Sequence, residues 1–341
     1  VSPAPLAEAA PPTAAATTPS DSHVRAGIEV FAQYAYRVTN ALNGPSSSDQ
    51  RFDVPRVHGA VEGDYGPLFG RVLVEGVRSA SEGALAGVAG DSILLRVREA
   101  YGAYRLGHVL EVRAGVIPEL TIPELDGTWM MRAVSASPQE TSNLYVPGDI
   151  GASAVAKIPD HWGWVGVAAY NGEGYAQQEL NEGKNVELAG EIHPVHMPGL
   201  LPLAVFASYT SGSTGTESAR ANRATAGLLY QGARVRAGVD YSYGWGVGTN
   251  GTQDSTITDA FVRVEPVSRL LVGARVSYWL RNANAVGEDT ETSVTGTVGW
   301  RFGDPLEAFV AVTRAFASTE AQSEDAGSDY TELRFVAHVV F

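Results

Sequence analysis

Residues 118–148 gather the groups with the most chemical potential: Glu119, Glu124, Asp126 and Glu140, with Arg132 as the one basic residue among them. A segment this long without alternation is uncommon in a compact protein and is usually functional. Nothing in it pairs a nucleophile with a base, so acid–base or covalent catalysis has no starting point, and no enzyme is expected. What such a set of charges can do is set a field. An acidic segment facing an arginine-bearing wall discriminates between ions, as rings of charge do in pores. The plainer alternative is an external lid with no filtering role. Asp126 reads as the cap of a short helical turn through Thr128 to Val134.

The arginines that would form the wall lie on alternating segments. Val24, Ala26, Ile28, Val30, Ala32, Tyr34, Tyr36 and Val38 share one parity, while Arg25, Glu29, Gln33 and Arg37 share the other. Helical apolar positions recur at 3.6, so strict alternation of this length is a strand. Three late segments repeat the pattern. Val235, Val239 and Tyr241 oppose Arg234, Arg236 and Asp240; Val272, Val276 and Tyr278 oppose Arg275 and Arg281; Leu333, Phe335, Val339 and Phe341 oppose Glu332, Arg334 and His338. An arginine facing hydrocarbon at mid-membrane costs about 2–4 kcal/mol. That cost sets the register: apolar parity to lipid, arginines to a water-filled interior. The expected wall carries Arg71, Arg96, Arg98, Glu111, Arg113, Arg234, Arg236, Arg275 and Arg334.

Sixteen such segments fit, near 24–38, 52–63, 67–77, 92–106, 108–117, 149–158, 162–171, 184–195, 200–211, 223–231, 233–246, 256–265, 269–281, 290–302, 305–316 and 329–341. Their connections alternate between short turns and long loops, the pattern of a transmembrane up-and-down β-barrel with periplasmic turns and extracellular loops. An all-β barrel over 23–341 is expected, with 118–148 as an inward constriction loop. Two places resist the pattern. Pro55 falls in the second segment, and Glu99 and Arg105 share the parity of Ile93, Leu95 and Val97, which calls for a bulge or a subunit interface. Residues 1–22, rich in Ala, Pro, Thr and Ser, read as a flexible periplasmic tail.

Composition bounds the rest. No run of apolar residues is long enough for a transmembrane helix. The chain has no cysteine, hence no disulfide or thiolate metal site, and its net charge of −14 offers no basic footprint for nucleic acid. No metal or cofactor is expected. His193 and His196, three apart, would point to opposite faces of a strand. Gly246-Val-Gly-Thr-Asn-Gly251 matches a dinucleotide pattern but opens no helix. Trp162, Trp164, Tyr170, Tyr209, Tyr241, Tyr243, Trp245, Tyr278, Trp279 and Trp300 read as an interfacial aromatic girdle. Phe341, closing an alternating strand, reads as the signal taken by the barrel assembly machinery.

Several short stretches carry a resemblance: Arg98-Glu-Ala-Tyr-Gly-Ala-Tyr-Arg-Leu-Gly107, Val112-Arg-Ala-Gly-Val-Ile-Pro118, Val146-Pro-Gly-Asp-Ile-Gly151 and Ala168-Ala-Tyr-Asn-Gly172. Together, over roughly residues 92–175, they resemble the phosphate-selective porin O and P family. The resemblance implies a sixteen-stranded trimeric porin of a Gram-negative outer membrane. The family's phosphate-binding members line the pore with many lysines and arginines. Here the loop has one arginine and no lysine, so phosphate selectivity is not carried over. The function expected is passive diffusion of small hydrophilic solutes and ions; the alternatives are a channel specific for an anion or sugar, or a closed structural barrel. Expected partners are membrane lipid and lipopolysaccharide, permeating solutes, the assembly machinery and two further copies of the chain.

Overall fold

The structure is a computed structural model that describes residues 22–78, 93–176, 182–195, 202–214, 219–247, 251–285, 287 and 289–341. The expected tail up to residue 21, most of the loop at 78–91, His196, residues 248–250 of the glycine-rich stretch and Glu288 lie outside the described residues.

Alternation produces strands throughout. The first are β1 (His23–Thr39), β2 (Ser47–Tyr65), β3 (Leu68–Arg78), β4 (Ile93–Leu106) and β5 (Leu110–Ile117). Helices α1 (Thr121–Trp129) and α2 (Pro138–Thr141) follow. Then come β6 (Asp149–Ile158), β7 (Gly163–Tyr170), β8 (Asn185–Ile192) and β9 (Leu203–Ser211). A small hairpin, β10 (Ser213–Thr214) and β11 (Ala219–Arg220), stands apart. The series resumes with β12 (Asn222–Gln231), β13 (Val235–Val247), β14 (Gln253–Val267), β15 (Leu270–Leu280), β16 (Thr290–Gly303) and β17 (Leu306–Ala317). Helix α3 (Thr319–Glu324) precedes β18 (Tyr330–Val340).

All strands except the hairpin join one closed barrel of sixteen, each antiparallel to both neighbours. β1 closes it against β18, with Glu29 opposite Val340 and Thr39 opposite Tyr330. Closure leaves no free edge, so every ladder donor and acceptor finds a partner without water.

The two parities separate as the arginine cost requires. Outside stand Val239, Tyr241, Val272, Val276, Val294, Val298, Val310, Val312 and Phe335, each well exposed. Inside are Asp240, Asp259, Arg263, Arg275, Thr295, Thr297 and Thr313, all buried. Both irregular places are bulges. The β1–β2 register shifts between Phe31 and Gln33, beside Val54 and Pro55, where a missing N–H does least harm to the ladder. The β3–β4 register shifts between Leu73 and Val74, so Glu99 opposes Leu73 and Val97 opposes Val74. Arg98 is the extra residue, and beyond it parity inverts. Ile93, Leu95 and Val97 can therefore face out while Glu99 and Arg105 face in.

One glycine is demanded by close approach. Gly115 has φ +130°, and a Cβ there would lie 2.2 Å from the carbonyl oxygen of Ala100 on β4. Gly115→Ala is expected to open the β4–β5 ladder and lower the yield of folded barrel, read as loss of the heat-resistant band on a denaturing gel. A normal folded yield would show that β5 can shift to accept the methyl.

The girdle needs revision. Trp162, Tyr209, Tyr241, Trp245, Tyr278 and Trp300 are exposed on the exterior, as expected. Tyr170, however, is buried, while Trp164 and Trp279 are only partly buried and pack against interior clusters. Their parity on β7 and β15 is the inward one; Tyr170 and Trp164 share a cluster with Ala168, Ala189 and Ala204, and Trp279 packs against Ile122, Leu144, Tyr145 and Ile257.

Candidate functional site

The segment after β5 folds into the lumen and lies along one side of the wall. Its root is tied to β8. Glu187, fully buried, accepts from the Leu120 N–H at 2.9 Å, the Thr121 hydroxyl at 2.6 Å and the Tyr170 hydroxyl at 2.8 Å. A buried carboxylate is tolerated only when so satisfied. Glu119 enters the same region. Burial, and then the charge of Glu187, hold its carboxyl well above the usual range.

Helix α1 runs over Thr121–Trp129, earlier than the turn expected at Thr128–Val134. Asp126 is inside the helix and caps nothing. Leu120 is the N-cap and offers no side-chain acceptor, so the usual start signal is missing. Pro123 in the first turn was the usable signal, because a first-turn residue needs no N–H. Met130 ends the helix in the left-handed region at φ 52°, its N–H bonded to the Asp126 carbonyl at 2.8 Å.

Apolar anchors fix the loop. Leu125, Trp129, Met131 and Val134 are buried in one cluster with Phe206, Leu229, Phe261, Leu271 and Phe309 from the wall. Trp129 meets Phe261 edge-on with centroids 5.5 Å apart, and its Nε1–H donates to the Ser135 carbonyl at 3.1 Å. Polar ties flank this core. Arg236 donates to the Gly127 carbonyl at 3.0 Å, and Arg275 to the Ala136 carbonyl at 3.1 Å. Arg275 is itself held by Asp259 at 2.8 Å. Gln139 donates to Asp240 and, at 3.2 Å, to Ser242.

The loop carboxylates divide into two sets. Glu119 and Glu124 face the β8 side. Gln231 of β12 donates to Glu124 at 2.7 Å and to Glu191 at 2.8 Å, bridging helix and wall. Asp126 and Glu140 instead bind Arg132 of their own loop, and Glu140 also reaches Arg56 of β2 at 3.5 Å. Burial alone would raise Glu140; Arg132, with Arg98 and Arg56, brings it down to about 2.

Facing that edge is a group the sequence revealed only in part. Glu75, fully buried, takes Arg56 at 2.9 Å, Arg96 and Arg98 each at 3.1 Å, the Tyr175 hydroxyl at 2.7 Å and His58 at 3.4 Å. Arg56 escaped the sequence reading because the bulge at Pro55 hides its parity; Tyr175 and His58 carried no signal at all. Four guanidinium groups, from Arg56, Arg96, Arg98 and Arg132, thus converge around Glu75, Glu140 and Asp126.

The other expected wall residues spread around the lumen. Arg71 pairs with Glu62 and with Glu99 at 2.8 Å. Glu111 pairs with Arg105 at 2.7 Å and with Arg113 at 2.5 Å. Arg334 pairs with Glu332 at 3.1 Å. Arg234 is not on a strand: β13 begins at Val235, and Arg234 is exposed in the turn before it. The strand expected from 233 begins two residues later, so the turn after Gln231 takes in Arg234. Among the described residues, no cluster of three or more His, Asp and Glu could hold a metal ion.

Burial, then the charge of Glu191, push Glu124 up to about 8. A carboxyl raised in the docked state favours docking most below its ordinary value, and the contribution is lost as pH rises through the raised one. Docking of α1 is therefore expected to weaken as pH rises from about 4.5 to about 8, read as falling amide protection factors over Thr121–Trp129 after the base-catalysed intrinsic rate is divided out. Glu124→Gln should remove the pH difference; its persistence would reject Glu124 as the source.

No known family profile matches the chain, and no curated protein sequence does either. Solved structures do match in fold. OmpF of Salmonella typhi, in complex with daunomycin, has a TM-score of 0.68 at 12% identity, covering 93% of this chain and 97% of that one. An anion-selective porin from Comamonas acidovorans has a TM-score of 0.68 at 12% identity, covering 94% of this chain and 100% of the other. The outer membrane channel DcaP of Acinetobacter baumannii has a TM-score of 0.63 at 10% identity, covering 96% of this chain and 100% of its own. At these identities the likeness is one of fold: a sixteen-stranded antiparallel barrel.

Proposed function

We propose that this chain is a porin of a Gram-negative outer membrane, through which small hydrophilic solutes and ions diffuse passively. The observation that carries the reading is a closed barrel, apolar outside and charged inside, with the 118–148 loop folded against one wall. A barrel of this strand number leaves an aqueous passage. The loop narrows it, and the Asp126–Arg132–Glu140 edge and the arginines of β2 and β4, joined where Arg56 meets Glu140 at 3.5 Å, border the passage. Glu119 and Glu124, turned toward β8, contribute to holding the loop more than to filtering.

The same reading places membrane lipid and lipopolysaccharide against the exterior and makes a homotrimer the working assembly. Phe341 serves as the assembly signal; its backbone closes the barrel on Ile28, donating at 2.9 Å and accepting at 3.2 Å. A narrower reading is selectivity for phosphate, as the O and P family resemblance implies. The convergence of Arg56, Arg96, Arg98 and Arg132 favours it. Against it, each of the four has a carboxylate partner.

The deciding experiment is a planar bilayer recording of refolded protein. Ohmic steps are expected, and the reversal potential in a potassium chloride gradient gives the ion preference. Folded protein that conducts nothing would leave a closed structural barrel.

A further inference from the structure

Two arginines face each other on the inner wall, away from the Glu75 group. Arg236 of β13 is directly opposite Arg263 of β14. Like charges at such a pair destabilise a sheet unless something neutralises them. The available acceptors are few. Arg263 is 7% exposed, and its Nε–H has no hydrogen-bond partner. The carboxylates that act on it are Glu265, 3.7 Å away, and Glu307, and Arg301 holds both, at 3.2 and 3.0 Å, so two carboxylates serve three arginines. Arg236 has a backbone carbonyl, that of Gly127, at 3.0 Å. Glu124 lies near Arg236, but its raised titration leaves it largely protonated at neutral pH. A guanidinium pair thus stands in low-dielectric surroundings without matching negative charge, and the missing partner must be an anion with several acceptor oxygens.

We propose that Arg236 and Arg263 form a binding site for a small oxyanion on the periplasmic half of the lumen wall, apart from the constriction. The position follows from the strands: Arg236 is the second residue of β13, next to a short turn, and Arg263 approaches the short turn that ends β14. A divalent anion is held more tightly than a monovalent one, because two fixed positive charges face it. The site rests on the reading of the lumen as water-filled, and binding and conduction are tested separately.

The probe is inorganic sulfate, whose charge does not change near neutral pH, with acetate as the monovalent carboxylate comparison. Isothermal titration of detergent-folded protein is expected to show saturable sulfate binding, weaker for acetate. Arg263→Gln and Arg236→Gln should each weaken it by about tenfold or more, the order expected for losing a charge-assisted bond. Arg314→Gln, at the far end of β17 and bonded to Asp329 at 2.6 Å, should leave it unchanged. Glu265→Gln removes a competing carboxylate and should tighten binding, a gain that misfolding cannot imitate. Absence of sulfate binding by the folded wild type, equal binding in the Arg236 and Arg263 variants, or loss in Arg314→Gln instead would overturn the site. Sulfate binding by a protein that passes no chloride current would uphold the site and reject the porin reading.

Discussion

Trp129→Ala will raise single-channel conductance severalfold while leaving the barrel folded. Trp129 is fully buried, set edge-on to Phe261, and lies under the Arg275 guanidinium at 5.4 Å from its ring. Truncating so buried an indole costs about 3–5 kcal/mol. The loss falls on the docking of the loop, because Trp129 belongs to no ladder. Of the polar ties, Arg236 to Gly127 and Arg275 to Ala136 flank the indole and are single hydrogen bonds to backbone, each worth about 1.5–3 kcal/mol at most for a charged donor, while Glu187 and Gln139 hold the loop further along, at Thr121 and in α2. With its anchor gone the loop samples undocked positions, and the narrowest section of the lumen widens. Bilayer recordings should show larger and noisier steps, and the heat-resistant gel band should persist. Trp300→Ala, on the exterior, is the control and should leave conductance alone. If Trp129→Ala conducts like wild type, the loop is held by its polar ties and the apolar cluster is incidental.

How far the sequence revealed this arrangement depends on the range of the interaction. Strand parity is local, so the interior placement of Arg275 and Arg334 and the exterior placement of Val239 and Phe335 could be read from period two alone. Even the misfit of Glu99 and Arg105 was informative, because a parity conflict inside one strand requires an extra residue, and Arg98 is that residue. Contacts across the lumen are another matter. Arg56 and Glu140 are 84 residues apart, and nothing near either signals the other. Arg132 could be identified as the sole base of its loop, but not as the residue that neutralises Asp126 and Glu140. The start of α1 was obscured because its cap carries no polar side chain. The side that Trp164 and Tyr170 face is not legible in the sequence, because an aromatic residue near a strand end suits an interface and an interior equally well.

Glu75→Gln should move the reversal potential toward anions and destabilise the barrel at the same time. The residue is the common acceptor for Arg56, Arg96, Arg98, His58 and the Tyr175 hydroxyl. A neutral amide cannot accept five donors with comparable strength, and its own N–H₂ would meet guanidinium groups, which have no acceptor. Breaking one side of a buried ion pair costs about 3–5 kcal/mol. Part of that is recovered here, since Arg96 is 38% exposed and can turn to water. What the lumen receives is one more uncompensated positive charge beside Arg132. A fixed charge in a narrow low-dielectric passage acts strongly on permeating ions, so the anion-to-cation permeability ratio should rise. Stability and selectivity separate through a second variant. Glu75→Asp keeps the charge but shortens the reach, so it should lose stability while holding the wild-type reversal potential. An unchanged potential in Glu75→Gln, with the protein folded, would mean that ions pass elsewhere and that the arginines around Glu75 serve only to tie β2, β3 and β4 together.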